Sequence, residues 1–381
     1  VDTVILTINK KGVDKIKLID ALNFDQHIEN YVDTNYFEKY QNAISISSAG
    51  NDELFEKLFN AKFSKVEDYF NVFQGIVTGN NKSYIFENEE QINNANIEEE
   101  LLFPIVLGRD IGKWIVKDDS KKILYLNSEI NLDNFPLTKN WLNPFKEKLE
   151  KRRECIRGVI PWYSLQWPRD KAELDKKPKI LLQRTRNESL KTRLVATIDE
   201  TGIYGMESII FLTPTSEKIS TYYFLGILNS KLLNYLFATK FLNLAVKGDY
   251  LKQIRFPISD STNNLEKLSL NMLNLNKTFQ KDINTFIEFL LSKFEVNKLS
   301  NKLKNWYELE FGEFLKELKK QKVKLNLSEE SEWMQYFNEK KEKAQELKSE
   351  IDQTDSAIDQ MVYELYGLSD DEIKIVEEAN A

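Results

Sequence analysis

The two ends of this sequence carry different hydrophobic patterns. Across residues 259–381, Leu268, Met272, Leu275, Phe279, Ile283, Phe286, Ile287 and Leu290 recur every three or four positions, which predicts a long amphipathic helix. Trp306, Leu309, Phe314 and Leu318 predict a second helix. Trp333, Phe337, Leu347, Ile351, Ile358, Met361, Val362 and Leu365 predict a third, long one. Gly367 suits the stop of that helix, and Ser369 with Glu372 forms a capping box for a last short one. No proline interrupts residues 265–381, so the aromatic stripe there reads as helical core.

Upstream the runs are shorter. Residues 1–8 (VDTVILTI) predict a strand with no signal-peptide charge pattern before it, as expected of a piece of a longer cytoplasmic protein. A second run at 15–19 leads into a polar, Asn-rich connection. Residues 43–48 (AISISS) alternate like a strand. Leu54, Phe55, Leu58 and Phe59 then share a helical face, capped by Asn51 or Asp52. Residues 70–86 (FNVFQGIVTGNNKSYIF) predict a hairpin of two apolar strands with a polar tip, where Gly79 can take positive φ. An acidic helix-like piece (89–102) precedes loop and strand at 102–116, where Pro104 and Gly108 exclude a helix. Residues 121–130 predict a strand. A helix follows Pro136, with Leu142, Phe145 and Leu149 inward and Lys148, Arg152 and Arg153 beyond them. A Trp/Pro loop (161–170) precedes strands at 177–187, 194–199 and 207–214, the last two joined by a Gly-containing turn. Residues 216–241 predict one helix with Tyr223, Ile227, Leu228, Leu232 and Tyr235 inward, and 250–258 a short edge strand ended by Pro257. The fold class is therefore α+β: a mixed α/β part with small sheets, then an all-α C-terminal module. The segments are 1–40, 41–258 and 259–381.

Charge sharpens this division. The net charge is −7, yet residues 141–193 hold fifteen Lys and Arg against seven Asp and Glu. Residues 328–381 hold five Lys against sixteen acids. Such segregation suggests one face for a polyanion and a separate acidic element that stays off it. A single cysteine and a single histidine exclude a disulfide, a Cys/His zinc site and a histidine-based triad other than one built on His27. Cys155 reads as a spectator thiol and His27 as a surface or cap residue. No GxGxxG, GxxxxGK[ST], HExxH or CxxC occurs, and no run of apolar residues is long enough for a membrane span. What remains is a binding surface. Arg184 and Arg186, two apart, would share a strand face opposite Gln183 and Thr185. Arginine forks suit guanine or phosphate, and amides suit adenine. Trp162, Tyr163 and Trp167 could stack on bases or pin their loop, and Lys247 lies in what reads as another exposed loop around Gly248.

In order along the chain, VFQGIVTGNNKSYIF (72–86), FPIVLGRDIGKW (103–114), WLNPFKEKLEKRR (141–153), WYSLQWP (162–168), KPKILLQRT (177–185), YYFLGILNSKLLNYLF (222–237) and YLKQIRFPI (250–258) resemble the TaqI-like C-terminal specificity domain of N6-adenine DNA methyltransferases and type IIG restriction-modification enzymes. Residues 1–8 look like the closing strand of the preceding methyltransferase domain, with linker to residue 40. Residues 333–377 look like the helical tail of type IIG relatives. The resemblance implies that residues 41–258 recognise double-stranded DNA for that upstream domain, without a membrane. S-adenosylmethionine, and Mg2+ where the parent also cleaves, would be bound outside this chain, which itself lacks the cofactor loop and the Asn/Asp-Pro-Pro-aromatic tetrad. The expected DNA-binding residues are Gln74, Thr78, Asn80, Lys82, Arg109, Lys113, Lys148, Arg152, Arg153, Trp162, Tyr163, Gln183, Arg184, Arg186, Arg193 and Lys247, with Gly75 and Gly79 letting backbone approach the duplex. Two alternatives stay open: a helical protein-interaction scaffold, and the specificity subunit of a multisubunit restriction-modification complex.

Overall fold

The computed structural model describes residues 15–23, 26–33, 52–59, 62–185, 192–239, 245–258, 262–294 and 299–380. The strands expected at 1–8 and 43–48 lie outside them. The run at 15–19 belongs to a longer strand, β1 (Lys15–Asn23), which pairs antiparallel with β2 (Gln26–Asp33), where the sequence suggested only a connection. Helix α1 (Asp52–Leu58) buries Leu54, Phe55 and Leu58 as its spacing requires.

Two four-stranded sheets form the centre. The first has the order Ala196–Asp199, Lys179–Gln183, Ile209–Pro214, Phe70–Gln74, antiparallel throughout. The second has the order Tyr204–Gly205, Leu102–Val106, Lys122–Leu124, Ile85–Phe86, with one parallel pair. The stretch 70–86 is therefore not a hairpin. Its first strand joins one sheet and its last the other, and a short helix, Asn81–Tyr84, stands at the expected tip. The crossing between sheets occurs at Gly75. A Cβ there would lie 2.2 Å from Met206 O and 2.4 Å from Gly205 O. Gly75 N–H donates to Ile209 O and Ile76 N–H to Gly205 O. The room Gly75 gives is filled by the chain's own backbone, not by a ligand.

Across two neighbouring strands of the first sheet, Lys179 and Asp199 form a fully buried ion pair at 2.7 Å, and Lys179 also donates to Leu174 O. Burial opposes ionisation of Asp199, but the Lys179 ammonium and the Thr201 donors hold its carboxyl below the usual range.

Residues 216–241 form two helices, α2 (Thr221–Asn229) and α3 (Lys231–Thr239), rather than one. The break at Ser230 leaves Asn229 and Asn234 facing a strand and its lead-in: Asn229 brackets Ala196 with both amide atoms, and Asn234 Oδ1 accepts from Arg193 N and Leu194 N. The stretch after Pro136 likewise breaks into Pro136–Leu142, Lys146–Glu150 and Arg153–Ile156, with Pro144 in a 3-10 turn between the first two.

The C-terminal module is a pair of long helices, α4 (Thr262–Lys293) and α5 (Leu327–Tyr366), bridged at the far end by Asn301–Lys304 and α6 (Phe311–Lys320), and closed by α7 (Asp370–Asn380). Gly367 ends α5 at φ 66°, and Ser369 and Glu372 cap each other as expected. The near ends of α4 and α5 enter the core of the mixed part: Leu265, Met272, Ile358, Val362 and Tyr366 pack with Phe70, Phe224 and Phe256. Gly226 of α2 permits this, since a Cβ there would meet Ser269 Oγ at 2.7 Å. The far ends carry a separate aromatic core around Phe286, Trp306, Phe314 and Phe337. Among the described residues no helix is long and apolar enough to cross a membrane.

Candidate nucleic-acid interface

The turn Glu207–Ser208 stands at one end of the first sheet, and the chain folds several polar residues around it. Gln183 pairs with Ile209 and Gln74 with Ile210, so both residues sit at this end, on the two strands that flank Ile209–Pro214 and with side chains on opposite faces of the sheet. Gln74 Nε2 donates to Glu207 O at 2.7 Å, and Arg184 N–H to Ser208 O at 2.8 Å. Gly108 N–H donates to Ser208 Oγ, which places Arg109 beside the turn. Val246 N–H donates to Arg184 O, which does the same for Lys247. Arg169, which sequence reasoning did not single out, adopts φ 66° and donates from Nε to Gly75 O at 2.9 Å. Its only sequence signal was a cation after Trp167-Pro168. Glu207 was missed too, because an acid inside a basic face has no mark in the sequence.

A second group surrounds Gly79. Residues 75–79 run beside 166–169, with Val77 and Trp167 bonded through their backbones. Thr78 is buried, and its hydroxyl donates to Asn81 Oδ1 and accepts from Asn80 N–H. Asn80 Nδ2 donates to Ser83 Oγ, and Lys148 reaches Asn80 Oδ1 at 3.5 Å. Arg152 is buried and donates to three carbonyls: Leu149 O at 3.0 Å, Thr78 O at 3.1 Å and Trp162 O at 2.6 Å. It cements the loop rather than facing solvent. Trp162 and Tyr163 pack on the second core, and Tyr163 Oη donates to Ile130 O. Trp167 is 48% exposed, the open aromatic of this loop. Cys155 is half-buried, its thiol 3.8 Å from Pro161 O.

Of the expected cations, Lys82, Arg109, Lys148, Arg153 and Lys247 are open to solvent and Arg184 is half-buried. Arg109 is 67% exposed and only loosely paired, at 3.7 Å from Glu87 and 3.8 Å from Asp110. Lys247 immediately precedes the helix Gly248–Gln253 and lies over the Tyr250 ring, so this segment is a helix start and not a loop. Two expected residues are elsewhere. Lys113 holds both oxygens of Asp355 on α5 at 2.7 Å, and Arg193 is buried beside Asn234. Arg186 lies outside the described residues, and strand geometry ends at Gln183, before the Arg184–Arg186 repeat.

This arrangement suits a polyanion with polar edges: exposed cations around fixed amides and one exposed ring, and no three His, Cys, Asp or Glu gathered for a metal among the described residues. The profile of the family described as TaqI-like C-terminal specificity domain matches residues 32–260. That of a domain of unknown function (DUF8810) matches residues 259–362. The Type II methyltransferase M.BstVI of Geobacillus stearothermophilus is 26% identical over 227 residues, which is 56% of this chain and 38% of that protein. The chain thus spans about two-fifths of that relative's length. A solved structure of the Type IIL restriction-modification enzyme MmeI in complex with DNA overlays 97% of this chain and 41% of its own, at 11% identity and a TM-score of 0.48.

Proposed function

The chain belongs to the family of TaqI-like C-terminal specificity domains, the DNA-recognition parts of restriction-modification systems, and we propose that it reads a duplex target for an N6-adenine methyltransferase domain. The observation that carries this is the convergence at the Glu207–Ser208 turn. Two amides, Gln74 and Gln183, stand on the strands that flank Ile209–Pro214, one on each face of the sheet end, while Arg109, Arg184 and Lys247 are tethered nearby through backbone bonds. Held amides suit base edges, which must be met at fixed geometry, and mobile exposed cations suit phosphates. The exposed Lys82, Lys148 and Arg153 extend the phosphate-binding face past Gly79.

Methyl transfer needs a cofactor loop and a pocket for an extruded adenine. The residues of this chain do not fit S-adenosylmethionine: no Gly-rich loop follows a strand, and no Pro-Pro-aromatic tetrad is present. We therefore assign transfer, and any cleavage, to other parts of the enzyme. The role of this chain is to hold the duplex in register so that one base can be extruded there.

The test is selection of binders from a randomised duplex pool at two salt concentrations, followed by sequencing. An enriched motif whose log K falls by roughly 0.9 per phosphate contact against log salt is the expected result. Salt-independent capture without a motif would overturn the reading.

A further inference from the structure

Residues 299–326, which bridge the far ends of α4 and α5, contain seven lysines and four glutamates, whereas the adjoining α5 is strongly acidic. Glu317 is buried against Ser300 and Lys320, Glu310 pairs with Lys341 at 2.7 Å, and the Glu313 carboxylate caps Glu310 N–H, while Glu308, Glu310 and Glu313 stay exposed. Lys302, Lys304, Lys316, Lys319, Lys320, Lys322 and Lys324 are all exposed, and among the described residues only Lys320 is ion-paired. Lys302, from one element, lines a hollow with Lys316, Lys319 and Lys320 from another, together with Glu313 and Glu317. The module therefore ends in an open cationic cap on a negative shaft.

We propose that this cap is a second DNA contact, which grips duplex phosphates outside the recognised sequence. The proposal rests on the specificity reading, because that reading brings a duplex to this chain. The geometry supplies the spacing. From Phe337, which packs on Phe286 in the far core, to Ile358 in the near core is about 31 Å of helix, and Phe286 to Lys293 adds about 10 Å. At about 3.4 Å per base pair the cap reaches phosphates roughly nine to twelve base pairs beyond the near core. The acids of α5 keep the duplex off the shaft, so contact is confined to the two positive ends. Point-charge lysines without arginine forks or amides suit phosphates and carry no base preference.

The experiment compares the intact chain with a variant carrying Lys302→Gln, Lys316→Gln, Lys319→Gln and Lys322→Gln, which leaves every ion pair described above in place. Both are titrated with duplexes holding the selected motif and either three or twenty flanking base pairs on each side, from 50 to 300 mM salt. If selection yields no motif, mixed-sequence duplexes of the same lengths are used, which separates failure of the recognition reading from failure of this one. The expected result is equal binding of wild type and variant on the short duplex. On the long duplex the variant's log K against log salt is shallower by about 3.6, at roughly 0.9 per lost phosphate contact. Equal slopes on the long duplex, or equal losses on both lengths, would overturn the proposal. So would loss of binding to single-stranded RNA or anionic vesicles with none on DNA.

Discussion

Replacing Asp359 with Asn should stabilise the chain at neutral pH. Asp359 lies in α5 where it crosses the start of α3, and it is buried. Its Oδ1 accepts from Lys231 N–H at 2.8 Å. Its Oδ2 is buried without a hydrogen-bond partner, and Lys231 Nζ stands off at 3.8 Å. Burial, opposed by the Lys231 amide and the Lys113 and Lys231 charges and aided by Asp355, lifts the carboxyl from its ordinary 3.8 to about 6. Glu377 and Tyr363 complete the polar surroundings. An acid whose folded pKa is raised favours folding in its protonated form. The resulting penalty is absent below about pH 3.8, grows up to about 6 and is complete above it. At about 1.36 kcal/mol per tenfold change in proton affinity, the full penalty is about 3 kcal/mol. Asn keeps the acceptor for Lys231 N–H and removes the charge. Thermal unfolding at pH 8 should therefore show Asp359→Asn more stable by about 1–3 kcal/mol, roughly 2–4 °C per kcal/mol. Hydrogen exchange at the start of α3 should slow in parallel. At pH 4 the difference should vanish. A variant less stable at pH 8, or a gain that persists at pH 4, would show that the lysines need the carboxylate and would refute the reasoning.

Gly75→Ala forces a Cβ into the Gly205–Met206 backbone and should cost more than about 4 kcal/mol or prevent folding, read by denaturant titration. Asp199→Ala leaves Lys179 charged and buried without its partner, and should cost about 3–5 kcal/mol in the same assay. Arg152→Met should lower stability by about 2–4 kcal/mol through three lost carbonyl bonds. Lys148→Gln and Arg153→Gln should leave unfolding unchanged and flatten the salt dependence of DNA binding by roughly 0.9 each.

Sequence periodicity reads well where contacts are local. Helices α4 and α5 follow from spacing alone, and the Gly367 stop and the Ser369–Glu372 box follow from capping chemistry. The reading failed where distant segments decide. The 70–86 stretch looks like a hairpin because its two apolar runs are complementary. Its partners, however, are residues 205–214 and 122–123, and only Gly75 lets the strand pass from one sheet to the other. The break at Ser230 is invisible because the apolar stripe runs on through it, and the reasons for it, Asn229 and Asn234, act on residues some forty positions upstream. Arg152 carries the same letter as Arg153, one position away. Only the fold makes the first a bracket for carbonyls and the second a surface charge.

That contrast also orders the candidate interface. A residue can discriminate bases only if its position is set before the duplex arrives, since an error of a bond length forfeits the hydrogen bond. Here fixed position comes from the sheet end: Gln74 and Gln183 leave the two strands hydrogen-bonded to either side of Ile209–Pro214, and the Glu207–Ser208 turn is tied to Gln74, Gly108 and Arg184 at 2.7–2.8 Å. The exposed lysines are held less firmly, Lys148 by one 3.5 Å contact to Asn80 and Lys247 by its contact with the Tyr250 ring, and an attraction to phosphate requires no more. Substitutions at Gln74 or Gln183 should therefore change which duplex is chosen. Substitutions at Lys82, Lys148 or Lys247 should change how tightly any duplex is held.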